Sequence, residues 1–99
     1  MDRDRALRIL KGVQFTLEQR GVKHAALFGS IARGQGQAWS DIDVLVTPQP
    51  GRRLNLFELG AIQSILEDAF RGRRVDIVVE PVQRAEVREA INRDRVHAF

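Results

Sequence analysis

The apolar positions change their spacing several times along the chain, and each spacing predicts a different element. Over residues 4–20 they recur every three or four positions, which predicts an amphipathic helix that ends at Gly21. The apolar run 23–28 is too short for a helix and predicts a buried strand. Residues 41–46 alternate in the way that places neighbouring side chains on opposite faces of a second strand. Between the two strands, a short helix is expected to start at Ser30.

The second half of the chain continues the alternation of helix and strand. Asn55 and Glu58 have the spacing of a capping box, and the apolar stripe behind them predicts a long helix that ends at Gly72. Residues 75–79 predict a third strand, and residues 83–94 predict a last helix. Together these elements predict a two-layer α+β domain, in which a sheet of at least three strands is covered by about four helices.

Composition and charge narrow the class of protein without identifying a function. The 99 residues suffice for one domain, 1–99, and no apolar run approaches the roughly 20 residues of a membrane-spanning helix. The chain starts without a signal-peptide pattern and contains no cysteine, which predicts a cytoplasmic protein without disulfides or thiolate metal sites. The net charge of +3 comes from basic residues spread along the chain, so it predicts neither membrane association nor direct nucleic-acid binding.

Three aspartates occupy strand positions at which apolar residues are the norm. Asp41 and Asp43 stand two apart on the second predicted strand and Asp76 lies on the third, so all three carboxylates are expected on one sheet face. Carboxylates about 7 Å apart repel one another unless a cation lies between them, and Mg²⁺ prefers oxygen ligands. The pattern predicts a metal site at which Asp76 serves a second ion or acts as general base. The structural alternative is a turn for the first two aspartates and an ion pair with Arg73 or Arg74 for the third.

A glycine and a serine directly follow the first predicted strand. Gly29 allows the backbone to approach a phosphate closely, and the free N–H groups of a helix beginning at Ser30 attract its charge. Arg33, one turn later, could contact the same anion or form a surface ion pair. Small residues are common in any turn. A phosphate cradle followed by a carboxylate pair, however, supplies the positioning and charge neutralisation that nucleotidyl transfer needs.

The combined motif resembles the signature of a known superfamily. Residues 29–34 read Gly-Ser-Ile-Ala-Arg-Gly, and after six further residues, positions 41–44 read Asp-Ile-Asp-Val. This pattern is similar to that of the DNA polymerase β-like nucleotidyltransferases, and most similar to the minimal nucleotidyltransferases, or MNT proteins, which consist of the catalytic core alone. The resemblance covers essentially the whole chain and implies a nucleotidyltransferase-like core with a small mixed sheet.

The resemblance also implies roles for individual residues. Gly29 and Ser30 would hold the triphosphate of ATP, with Arg33 in a supporting or phosphate-contacting place. A set of three carboxylates would act as catalytic residues and as ligands of two Mg²⁺ ions. Its members are Asp41, Asp43 and Asp76.

Through the resemblance, the favoured function is AMP transfer from ATP to a protein. MNT proteins of this kind pair with a small helical HEPN-domain protein, and in several pairs the MNT protein is the antitoxin that transfers AMP to a tyrosine of the HEPN toxin. Two alternatives stay open. One is a catalytically residual antitoxin that binds its HEPN partner directly, and the other is the catalytic subunit of a two-component small-molecule nucleotidyltransferase. The choice between a homodimer and a hetero-oligomer also stays open.

Trp39, the only tryptophan, stands in a stretch that is commonly more polar in this family. We expect it to pack in the core or to lie partly buried beneath its loop, with base stacking or an interface as the alternatives. His24 and His97 match no motif, and we expect them on the surface of a strand and in the tail, respectively.

Overall fold

Five helices and four strands make up the structure, a computed structural model that describes residues 1–99. None of the helices is both long enough and apolar enough to cross a membrane. In chain order the elements are α1 (Arg3–Gly12), α2 (Gln14–Gln19), β1 (Val22–Phe28), α3 (Gly29–Ala32), β2 (Ile42–Pro48), α4 (Leu56–Ala69), β3 (Val75–Val79), α5 (Ala85–Asp94) and β4 (Val96–His97).

The amphipathic N-terminal segment forms two helices instead of the single helix that its periodicity predicts. α1 ends at Gly12, and Val13 takes a non-helical conformation (φ −105°, ψ 12°) before α2 begins. A glycine and a β-branched residue in succession are both weak helix formers, which accounts for a break at this point. Leu10 and Leu17, on either side of the break, are both buried in the core. The predicted end of the segment at Gly21 is confirmed, and its φ is 94°.

The capping box predicted for the second long helix is confirmed. The Asn55 side chain accepts a hydrogen bond from the Glu58 N–H (2.8 Å), and the Glu58 carboxylate accepts one from the Asn55 N–H (3.3 Å). These two bonds satisfy backbone donors that would otherwise lack partners in the first turn of α4. The apolar stripe behind them buries Ile62 and Leu66 against the core.

The four strands form one mixed sheet in the order β3-β2-β1-β4. β1 and β2 are antiparallel, and α4 then carries the chain across to β3, which pairs in parallel with β2. No periodicity in the sequence predicts β4, because a strand of two residues is too short to show one. β4 pairs with Ala26 and Leu27 of β1, so His97 lies on a strand and not in a tail. Its ring is 6.1 Å from that of His24 in an edge-on arrangement.

Apolar side chains cover both faces of the sheet, but the two clusters differ in size. The larger has 15 buried residues and includes Ile42, Val44 and Val46, which the alternation of β2 predicts on one face. On the opposite face, a smaller cluster of three buried residues joins the sheet to α5. Its members are Ala26, Leu45 and Ile91.

α5 follows the sequence prediction only in part. It begins at Ala85, two residues after the predicted start. Of the three positions expected to face inward, Ile91 is fully buried, whereas Val87 and Ala90 stay partly exposed. α5 therefore covers the second face of the sheet through a small contact.

Candidate active site

The parallel pairing of β2 and β3 brings two of the predicted carboxylates together. Asp43 and Asp76 are register partners, and neighbouring strands lie about 4.8 Å apart. Asp41 precedes β2 and is not a strand residue, contrary to the prediction, because the chain leaves a turn there and the ladder begins at Ile42. The side chains of Asp41 and Asp76 are 42% and 47% exposed. The three aspartates thus share one end of the sheet, at an open surface.

The surroundings of Asp43 raise its pKa to about 6. Burial is the largest cause, because it disfavours the charged form of the carboxyl group. The negative charges of Asp76 and Asp41 raise the pKa further, and the positive charge of Arg33 lowers it in part. The three carboxylates are therefore close enough to repel one another.

A guanidinium group lies between the two more exposed aspartates. The Arg74 Nε is 3.8 Å from Asp41 Oδ2 and 3.7 Å from Asp76 Oδ1. Both contacts are long and the Arg74 side chain is mostly exposed, so solvent screens them and their contribution to stability is small. The ion pair that the sequence offered as a structural alternative for Asp76 is thus present, and it coexists with the carboxylate cluster.

Gly29 is packed directly against the carboxylate of Asp43. Phe28, the last residue of β1, pairs with Asp43, so α3 begins beside that side chain. Gly29 has a φ of 75°, and a Cβ atom at this position would overlap with Asp43 Oδ2. The residue must therefore be glycine both for its backbone conformation and for the space that the carboxylate occupies.

The remaining residues of the predicted phosphate cradle lie on α3, which is a single turn. The helix begins at Gly29, one residue before the predicted start at Ser30. Ile31 and Ala32 are buried in the core and anchor the turn, whereas Ser30 is partly exposed. The start of α3 therefore presents Gly29 and Ser30 next to the carboxylates.

Arg33 binds a buried partner on the last helix. Its Nη1 donates to Asp94 Oδ2 (2.7 Å), and its Nε donates to Gln35 Oε1 (3.1 Å). The Asp94 side chain is only 4% exposed, and its Oδ1 accepts a hydrogen bond from Arg93 Nε (3.3 Å). Burial alone would raise the pKa of Asp94, but the hydrogen bonds from the two arginines outweigh burial and lower it. Arg33 thus ties α3 to α5 while lying close enough to Asp43 to lower its pKa.

Sequence reasoning missed the part that Asp94 plays at the site. It lies 61 positions after Arg33, and nothing in the local pattern distinguishes it from the other acidic residues of the last helix. The surface ion pair considered for Arg33 is instead a pair with a buried carboxylate.

Trp39 is 81% exposed, contrary to the prediction that it packs in the core or under its loop. The turn that carries it is closed by the Ser40 hydroxyl, which accepts a hydrogen bond from the Gln37 N–H (2.8 Å). Arg73 Nη2 donates to the Ser40 carbonyl (2.6 Å) and so holds the turn against the start of β3. The indole therefore stands in solvent on a braced turn, two residues before Asp41.

The donor set around Asp43 fits Mg²⁺ in kind. Carboxylate oxygens are hard ligands, and Mg²⁺ typically takes one or two of them and completes its coordination with water and substrate phosphates. Burial is the largest cause of the raised pKa of Asp43, and the negative charges of Asp76 and Asp41 add to it, a repulsion that a cation would relieve. No three carboxylate or imidazole groups of the chain are arranged to hold a metal ion by themselves.

Comparison with known proteins identifies a family, a sequence relative and solved structures to which this chain is similar. Residues 8–97 match the family described as nucleotidyltransferase domain. A Methanocaldococcus jannaschii protein, provisionally named a protein adenylyltransferase, is 39% identical over 62 residues. The alignment covers 63% of this chain and 63% of that relative, which is less than two thirds of the relative's length.

Solved structures share the architecture over nearly the whole chain. A structure provisionally described as a minimal nucleotidyltransferase is 33% identical with a TM-score of 0.76, and the match covers 97% of this chain and 95% of that one. A chain in the complex of tri-AMPylated Shewanella oneidensis HEPN toxin with MNT antitoxin is 16% identical with a TM-score of 0.65, over 94% and 71% of the two chains. At that identity, the second likeness shows the fold alone. Because the family match omits only the first seven and the last two residues, the chain belongs to the nucleotidyltransferase domain family.

Proposed function

We propose that residues 1–99 act as one Mg²⁺-dependent catalytic domain that transfers AMP from ATP to a protein, in the cytoplasm. The acceptor is a tyrosine of a HEPN-domain toxin, and the chain is its antitoxin. The observation that carries this proposal is the register pairing of Asp43 with Asp76 beside Gly29, in a chain of the nucleotidyltransferase family. The name of the Methanocaldococcus relative and the AMPylated HEPN toxin in the Shewanella complex support a protein acceptor.

The phosphates of ATP would lie at the start of α3. Gly29 presents backbone without a side chain there, and Ser30 adds a hydroxyl group at a partly exposed position. Arg33 contributes positive charge near Asp43 while its own position is fixed by Asp94. These groups hold and orient the nucleotide, and orientation is a large part of catalysis in reactions of this kind.

The transfer itself forms one phosphorus–oxygen bond and breaks another. The acceptor hydroxyl oxygen attacks the α-phosphorus of ATP, the bond from that phosphorus to the oxygen bridging to the β-phosphate breaks, and diphosphate leaves. The proton of the hydroxyl group passes to the Asp76 carboxylate and from there to water. Asp76 suits this role because its side chain is half-exposed and lies beside the half-buried Asp43.

Asp41, Asp43 and Asp76 would hold Mg²⁺, as two ions. Bound Mg²⁺ supplies charge neutralisation on the phosphates and the leaving group. For the chain's own residues, this binding would need Asp43 in its ionised form and would compete with the contacts that Arg74 makes to the other two aspartates.

The experiment is a label-transfer assay with α-labelled ATP in lysate of the source organism, with the purified product of the neighbouring gene, which we expect to be the HEPN-domain protein, added. Label should move to that protein with the wild type, and the variants Asp41→Asn, Asp43→Asn and Asp76→Asn should each lose at least about 100-fold in rate. Asp68→Asn is the matched control, because it removes the same charge from an exposed position on α4.

Each other outcome selects a different function. Label in a small-molecule fraction would identify the subunit of a small-molecule nucleotidyltransferase. No transfer, with the HEPN protein still silenced by all three variants, would identify an antitoxin that acts by binding. If transfer persists in the variants, the three carboxylates do not take part in the reaction.

A further inference from the structure

We infer that Trp39 is an acceptor-binding residue, against which the acceptor protein packs while its hydroxyl group lies at the carboxylates. This role rests on the proposed function, since it takes the acceptor to be a protein and the phosphates to lie at the start of α3. It assigns a specificity-determining residue that the motif does not contain.

The first support is that the exposed indole is held in place before any partner binds. The turn is closed by the Gln37–Ser40 hydrogen bond (2.8 Å), and Arg73 holds the Ser40 carbonyl (2.6 Å). An exposed tryptophan costs hydration free energy in the free protein. A braced aromatic side chain also loses little conformational entropy when a partner covers it.

The second support is the side of the site on which Trp39 lies. In the sheet, β2 is flanked by β1 on one side and by β3 on the other. Gly29 and Ser30 follow β1, whereas the turn that carries Trp39 is bonded to Arg73, which precedes β3. The phosphates and Trp39 are therefore on opposite sides of β2. Asp76, the proposed proton acceptor, belongs to the β3 side, so Trp39 lies where the acceptor approaches.

The third support is that a hydrogen bond, two ion pairs and a short stretch of chain connect the turn to the carboxylates. Arg73 holds the turn, and its neighbour Arg74 lies between Asp41 and Asp76. Trp39 is itself two residues from Asp41, so their Cα atoms are at most about 7 Å apart. A protein surface resting on the indole is thereby brought to the reacting groups.

Phe57 provides a matched control on the same chain. It is 90% exposed and lies in the first turn of α4. Because α4 follows the C-terminal end of β2, this turn is at the opposite end of the sheet from Asp41 and Asp43. A general loss of exposed aromatic surface would affect both positions, whereas acceptor binding at the site would affect Trp39 alone.

The chain has one tryptophan and no tyrosine, so a single label reports on this position. The experiment uses the full chain with 5-fluorotryptophan, which gives one ¹⁹F resonance, and the unlabelled HEPN-domain protein as the probe. Adding the HEPN protein should shift or broaden that resonance beyond the change that ATP with Mg²⁺ alone produces through the nearby Asp41. If ATP with Mg²⁺ produces the whole change, Trp39 belongs to the nucleotide site and the inference is overturned. A complex that forms without moving the resonance would overturn it as well.

Kinetics of the unlabelled protein separate binding from chemistry. Trp39→Ala should raise KM for the acceptor by about 30-fold, the typical effect of truncating a central interface tryptophan. We expect kcat and KM for ATP to stay within about twofold of the wild type, because the variant loses binding of the acceptor only. Trp39→Phe should restore most of the affinity, and Phe57→Ala should match the wild type. A loss confined to kcat would overturn the inference.

The two proposals fail in different ways. If the resonance moves with the HEPN protein but no label is transferred, the AMP-transfer function is wrong and Trp39 still binds the partner. If label is transferred but neither the resonance nor the acceptor KM responds, the function stands and the role of Trp39 is wrong.

Discussion

The Asp43 carboxylate occupies the space into which a side chain at Gly29 would project. Phe28 and Asp43 pair across β1 and β2, so the close approach follows directly from the antiparallel register. The site therefore depends on a missing side chain as much as on the acidic ones that are present. This relationship is the most direct one to test by substitution.

Gly29→Ala should lower both stability and activity. The left-handed backbone at φ 75° costs about 1–2 kcal/mol with a Cβ atom, and the overlap with Asp43 adds to that cost. Gly34→Ala is the control, because Gly34 has a φ of 77° but open space around it. Urea denaturation should show a larger loss for Gly29→Ala, and label transfer should fall only in that variant. Equal losses in the two variants would contradict the close packing.

The stability of the metal-free protein should depend on the ionisation of Asp43. Its pKa is about 6 in the folded protein against 3.8 ordinarily, so the folded state holds the proton more tightly than the unfolded state. The contribution of this group is complete below pH 4, is lost as the pH rises to about 6, and then stays constant. In EDTA, the melting temperature of Asp43→Asn should rise relative to that of the wild type as the pH increases from about 4 to about 6.

Asp76→Asn tests the cause of this shift. Removing the Asp76 charge should bring the pKa of Asp43 closer to its ordinary value, because that charge is one of the groups that raise it. The pH range over which stability falls should therefore be narrower in Asp76→Asn than in the wild type. If the melting temperatures of all three proteins run parallel from pH 4 to 7, Asp43 is not the titrating group.

The pair between Arg33 and Asp94 should be important for stability at neutral pH. Arg33→Gln leaves the buried Asp94 with only its longer bond to Arg93, so its melting temperature should fall more than that of Arg93→Gln. The pKa of Asp94 is lowered, so this stabilisation is present at neutral pH and is lost as the pH falls through that lowered value. The difference between wild type and Asp94→Asn should therefore shrink in acid. A difference that persists unchanged at pH 3 would argue for packing alone.

Arg74 should weaken Mg²⁺ binding, because its guanidinium group lies between Asp41 and Asp76. Arg74→Gln should lower the Kd for Mg²⁺ by about two- to fivefold, the range that exposed ion pairs of this kind allow. Calorimetric titration in low salt provides the measurement. Arg53→Gln, at an exposed position in the loop before α4, is the control for a general change of charge. An unchanged or raised Kd for Arg74→Gln would place the cation elsewhere.

Local patterns in the sequence predicted the elements that carry the site. The alternation of β2 put Asp43 opposite the core residues Ile42 and Val44, and the structure agrees. The capping box at Asn55 fixed the start of α4 in the same way. Such features depend only on residues close together in the sequence, and for that reason they can be predicted from one amino-acid sequence.

Contacts between distant segments could not be predicted in this way. The bond from Arg33 to Asp94, the exposure of Trp39 and the pairing of β4 each depend on how separate segments meet in space. Asp41 was predicted to lie on a strand because the alternation extends to it, but a strand begins only where a neighbouring strand supplies hydrogen-bonding partners. That neighbour begins at Val75, whose partner is Ile42.

The parallel register of β2 and β3 also couples the geometry of the site to the stability of the fold. A shift of β3 by one residue would turn Asp76 towards the large core and bring Val75 or Ile77 to the carboxylate side. Such a molecule would bury a charge and expose apolar groups, so it would be unstable as well as inactive. Selection for a folded chain therefore also acts against shifted registers that would separate the two acids.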